Sequence, residues 1–137
     1  MRSRFAALIV ATVLALGFVG GPVLAQTAPQ ARPDWKERFR SHDRNGDGRI
    51  DRAEFQEWMV EVFFFRDTNH KGYLVLEDVR GRMSPETLRA INLKGDGKLT
   101  QAEFLNAVFR DFEAADVNTD GALTMEEIEA YISRSGK

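Results

Sequence analysis

Hydrophobic residues fall into three regimes along this chain. From Phe5 to Leu16 they are nearly continuous, broken only by Thr12. From Gln26 to Pro33 they give way to a mixture of Ala, Gln and Pro. From Asp34 onward they recur at helical spacing, in blocks separated by short runs of Asp, Asn, Gly and Lys. The blocks at 52–66 and 101–115 contain no Gly or Pro, and each predicts one unbroken helix. The middle connection differs. Gly81 and then Ser84-Pro85-Glu86 spell a stop followed by an N-cap and a first-turn proline.

The blocks are copies of one unit. Aligned on Gly48, Gly72, Gly97 and Gly121, they give four loops at 43–54, 67–78, 92–103 and 116–127. Successive loops start 24, 25 and 24 residues apart. Apolar positions keep phase with them. Four residues before each start stand Phe39, Phe63, Leu88 and Phe112. Position 8 holds Ile50, Leu74, Leu99 and Leu123, and the residue after position 12 is Phe55, Val79, Phe104 or Ile128. These twelve residues are the predicted core.

Polar positions in the first loop are equally regular. Asp43, Asn45, Asp47, Asp51 and Glu54 place side-chain oxygens at positions 1, 3, 5, 9 and 12, with Gly48 at 6. A hard divalent cation such as calcium takes six to eight oxygens at about 2.3–2.6 Å. Asp43, Asn45 and Asp47 supply three on alternate residues, and Glu54 offers two more. Arg49 contributes a backbone carbonyl and Asp51 a water-mediated contact. The fourth loop repeats this with Asp116, Asn118, Asp120 and Glu127, the Ala122 carbonyl, and Thr124 at position 9. Both meet the pattern D-x-[DN]-x-[DN]-G-x5-E, and the chain resembles an EF-hand calcium-binding protein. The resemblance covers 34–137. It implies an all-α fold of helix-loop-helix repeats, four loops with short β pairing between them, and calcium as the ligand.

The inner loops depart from the pattern. Lys71 replaces the position 5 ligand of the second loop, Val75 offers nothing at position 9, and Asp78 is one methylene short at 12. In the third loop Asn92 stands at position 1 and Lys94 at 3. A unit positive charge about 4 Å from a divalent ion opposes binding by roughly 8 kcal/mol at an effective dielectric of about 20. These loops read as structural, with weak binding through Asp96 and Glu103 the alternative for the third. Two ions per chain follow.

Loops in this family work in pairs joined at position 8. A helix over 52–66 separates loops one and two by about 20 Å, so they cannot pair. If the chain breaks near Gly81 and Pro85, loops two and three pair, and loops one and four meet at the other end. If 76–91 is one helix, loop one pairs with three and loop four with two. A contact of Ile50 with Leu123 belongs to the first arrangement, and one with Leu99 to the second.

Composition narrows the rest. With 43 % hydrophobic and 29 % charged residues, the chain of 137 residues suits one soluble globular domain. There is no cysteine, which excludes disulfides and thiol chemistry. Net charge is −2 with no long basic stripe, which argues against nucleic acid. Met1-Arg2-Ser3-Arg4, the apolar run after it and Val23-Leu24-Ala25 make the three parts of a secretory signal, 1–25, cleaved after Ala25. Residues 26–33 read as a linker, and no membrane segment is expected after cleavage. His42 and His70 make no zinc site and read as exposed. No nucleophile, oxyanion hole or nucleotide loop accompanies the carboxylates, so no enzyme is expected.

Phe63-Phe64-Phe65 spreads three rings over about 200° of a helix. Phe63 is a core position. Phe64 and Phe65, with Trp58, Met59, Met83 and Met125, form a candidate patch for a protein partner. The expected function is calcium binding by a periplasmic or secreted sensor or buffer. The alternative is a calcium-stapled interaction module, or a regulatory subunit, docking to an envelope protein or polysaccharide.

Overall fold

The computed structural model describes residues 35–80 and 83–135. The expected signal segment 1–25 and linker 26–33, together with Gly81, lie outside them. Five helices and four short strands run in chain order among the described residues: α1 (Trp35–His42), β1 (Arg49–Asp51), α2 (Arg52–Arg66), β2 (Tyr73–Leu74), α3 (Pro85–Ile91), β3 (Leu99–Thr100), α4 (Gln101–Ala115), β4 (Ala122–Thr124) and α5 (Met125–Ser135). None of these helices is long and apolar enough to cross a membrane.

The two breaker-free blocks are single helices, as expected, each of 15 residues. At 1.5 Å per residue each is about 22 Å long. Helix α2 therefore carries loop one at its start and loop two at its end, and α4 does the same for loops three and four. The loops pair by the first arrangement. β1 lies antiparallel to β4 with Ile50 opposite Leu123, and β2 lies antiparallel to β3 with Leu74 opposite Leu99.

Helix α3 starts where the sequence marks it. Ser84 is the N-cap, accepting from the Thr87 N–H at 3.1 Å, and Pro85 occupies the first turn. The segment leaving loop two is different from its three counterparts. Residues 76–80 form successive turns, with Asp78 N–H donating to Val75 O and Val79 N–H to Leu76 O. Gly81 and Pro85 leave too few residues there to offset the cost of nucleating a helix. Val79 nevertheless keeps its core place.

All twelve phased apolar residues are buried. They join α2, α4 and the strands into one core, in which the Phe55 ring meets those of Phe109 and Phe112 at 5.4 and 4.9 Å, and Phe63 meets Phe104 at 5.7 Å. Two buried polar residues join the core, Asp111 on α4 and Tyr131 on α5. Burial, and then the Asp111 carboxylate beside it, push the Tyr131 phenol above its ordinary range.

The aromatic patch needs correction. Phe64 and Phe65 are 52 % and 43 % exposed, but Met59 is fully buried and Trp58 nearly so. They share the inward face of α2 with Phe55 and Phe63, at i, i+3, i+4 and i+8. Met83 and Met125 are partly buried against the core. The surviving patch is Phe64 and Phe65. His42 is also not an exposed histidine. Its ring stacks on Trp58 at 4.5 Å, Nδ1 lies 2.8 Å from Arg38 O, and Nε2 lies 3.3 Å from Glu61 Oε2.

Candidate metal centres

Loops one and four share one hydrogen-bond frame. In loop one, the Asp43 carboxylate accepts from the N–H groups of Asp47 (3.1 Å) and Gly48 (2.9 Å). Asn45 Oδ1 accepts from Asp47 N–H, and Asp47 Oδ1 from Arg49 N–H, both at 2.9 Å. In loop four, Asp116 accepts from Asp120 (3.2 Å) and Gly121 (3.0 Å), Asn118 Oδ1 from Asp120 (2.9 Å), and Asp120 Oδ1 from Ala122 (3.0 Å). These bonds turn the side chains of positions 1, 3 and 5 towards their own loop.

Position 12 closes both frames. Glu54 Oε1 accepts from Arg44 N–H at 2.9 Å and Asn45 N–H at 3.3 Å, while Oε2 accepts from Asp51 N–H at 3.1 Å. Glu127 Oε1 accepts from Val117 N–H at 3.2 Å, and Oε2 from Thr124 N–H at 3.0 Å. Each carboxylate thus ties the beginning of its loop to the helix that follows. Position 9 has a role the sequence reading missed. Asp51 is the N-cap of α2, accepting from the Ala53 and Glu54 N–H groups, and with Glu54 it forms a capping box. Thr124 Oγ1 accepts from Glu127 N–H at 3.2 Å. An acid or hydroxyl three residues before a Glu was the available signal.

Position 4 was missed as well. Gly46, His70, Gly95 and Thr119 all have positive φ, like the position 6 glycines. Two glycines at that offset hinted at it. In loop four the β-branched Thr119 is held at φ 58°, a strained conformation for its type.

Among the described residues, no three His, Cys, Asp or Glu side chains stand as a closed metal cage. The loop carboxylates face backbone N–H groups instead. Donor chemistry in loops one and four still fits a hard dication. Both are oxygen-only sets on short loops, and a carboxylate has about four lone-pair sites, so accepting an N–H leaves capacity for a metal. Asp43, Asn45, Asp47, Arg49 (through its carbonyl), Asp51 and Glu54 would hold one ion. Asp116, Asn118, Asp120, Ala122 (through its carbonyl), Thr124 and Glu127 would hold the other.

Loop two is already closed by a cation of its own. Lys71 Nζ lies 2.9 and 3.2 Å from the two oxygens of Asp78. The ammonium therefore bridges positions 5 and 12, the pair a metal would bridge. The Asp78 hydrogen bond raises the Lys71 pKa above its ordinary value. Burial pushes the Asp67 carboxyl up, but the N–H groups of Lys71 and Gly72 and the Lys71 charge outweigh it and hold it below the usual range.

Loop three has lost the frame at its start. Asn92 Oδ1 accepts from Gly95 N–H at 3.2 Å, at position 4 rather than 5 or 6. Thr100 N–H and Oγ1 hold Glu103 Oε2 at 3.0 and 2.9 Å and lower the Glu103 pKa. Glu103 Oε1 is buried.

The family model of the EF-hand domain pair matches residues 32–133, and the chain belongs to the EF-hand family, a family of calcium-binding proteins that are typically not enzymes. No curated protein matches the chain significantly.

Proposed function

We propose that this protein binds two calcium ions, one in loop one and one in loop four, and works outside the cytoplasm as a calcium sensor or buffer. The observation that carries the reading is the shared frame of loops one and four, set against a lysine-bridged loop two and a displaced Asn92 in loop three. Glu54 and Glu127 can each give two oxygens, which favours calcium over the smaller magnesium. The extracytoplasmic placement rests on the signal-like pattern of 1–25. Half-exposed Phe64 and Phe65 favour a protein partner alongside the ion.

Calorimetry on the chain without 1–25 tests the reading. Two ions are expected for the native sequence and one for each of Glu54→Gln and Glu127→Gln. Absence of saturable calcium binding overturns it, as does a stoichiometry that neither substitution changes.

A further inference from the structure

Loops one and four share a frame but not an electrostatic setting. Arg49 stands at position 7 of loop one, opposite Thr124 in the β1–β4 pairing. From there its guanidinium crosses to the other loop, and Nη1 lies 2.9 Å from Asp120 Oδ2. Asn118 Nδ2 donates to the same oxygen at 3.1 Å. Asp120 Oδ1 is held by Ala122 N–H, so both oxygens of this position 5 carboxylate are engaged. The equivalent residue of loop one, Asp47, has no cationic partner among the described residues. Loop four has Ala122 at position 7 and no charge to send back.

We infer that Arg49 is an internal competitor for the cation of loop four and lowers the affinity of that site. The inference rests on the proposed calcium reading of loops one and four. An ion entering loop four meets a unit positive charge already seated on one of its ligands. An ion entering loop one meets only the carbonyl of the same residue. Loop four is therefore a weaker site than it would be without Arg49. Arg49 and Asp120 are 51 % and 30 % exposed, so solvent weakens the competition. The difference in affinity due to Arg49 is roughly three- to tenfold and shrinks as salt is raised.

Site-resolved amide NMR during a calcium titration tests this. Gly48 and Gly121 donate to the first aspartate of their own loops and report each site separately. In Arg49→Gln the Gly121 midpoint moves to roughly three- to tenfold lower calcium, and by more than the Gly48 midpoint. Before calcium is added, the same variant shifts the amides of Asp120 and Ala122. Arg49→Met keeps the stem without the charge and is read in the same way. If both sites fill but neither variant moves the Gly121 midpoint by more than that of Gly48, the inference is wrong and the calcium reading stands. If neither glycine responds to calcium, the calcium reading fails with it.

Discussion

Thr119 shows how much of this fold's local energetics sits in single residues. Its φ of 58° is imposed by the loop, because Gly46 and Gly95 adopt the same sign at the same offset. A left-handed conformation costs a residue with a Cβ about 1–2 kcal/mol, and glycine's extra backbone entropy returns part of that. Thr119→Gly is therefore expected to stabilise the metal-free protein by about 0.5–1 kcal/mol in urea denaturation. Lys71 works in the opposite sense, as a residue whose charge holds a loop shut. The Asp67 pKa is lowered in the fold, so its stabilising effect exists above about pH 4 and is lost as pH falls through the folded value. The Lys71 pKa is raised, so its effect exists below about pH 10 and is lost as pH rises through the folded value. In chelator, the Leu74 and Leu99 amide signals should hold between those limits and move outside them. Lys71→Met should abolish the alkaline change in those signals.

At the scale of elements, the short helix α3 decides the architecture. It has seven residues, too few to persist without a cap and a packed face. Ser84 supplies the cap, and Leu88 and Ile91 supply the face. Ser84→Ala should cost about 1 kcal/mol and lower the melting temperature by about 4–8 °C, read by calorimetry. The existence, length and ends of α2 and α4 were legible because no breaker interrupts their apolar spacing. Failure of 76–80 to become a helix was not legible from that spacing. It follows from Gly81 and Pro85 cutting the segment short.

Across the whole molecule, the β1–β4 pairing joins the sequence-distant loops one and four, so ions there would clamp the beginning of the domain to its end. In loop two the Lys71–Asp78 bridge already spans the positions an ion would join. At calcium a hundredfold above the dissociation constant, each filled site adds about 2.7 kcal/mol. Chelation is then expected to lower the melting temperature by about 11–22 °C per site. Glu54→Gln should halve that loss, and a melt that ignores chelator would contradict the clamp. Phe64 and Phe65 lie on the surface of α2, away from the face it buries in the core.

The sequence alone determined the repeat, the twelve core positions and the two long helices, and it placed the oxygen-bearing side chains of loops one and four at their offsets. Each is a local matter of residue type at fixed offset, and the offsets are set by helix and loop geometry. Which loops pair depended on the break before Pro85, and the sequence left two arrangements open. Only the tertiary structure decided between them, because pairing brings together residues more than seventy positions apart. The same is true of Arg49 on Asp120, of His42 on Trp58, and of Met59 turned inward. Those contacts follow from how the helices pack, and no periodicity along the chain encodes them.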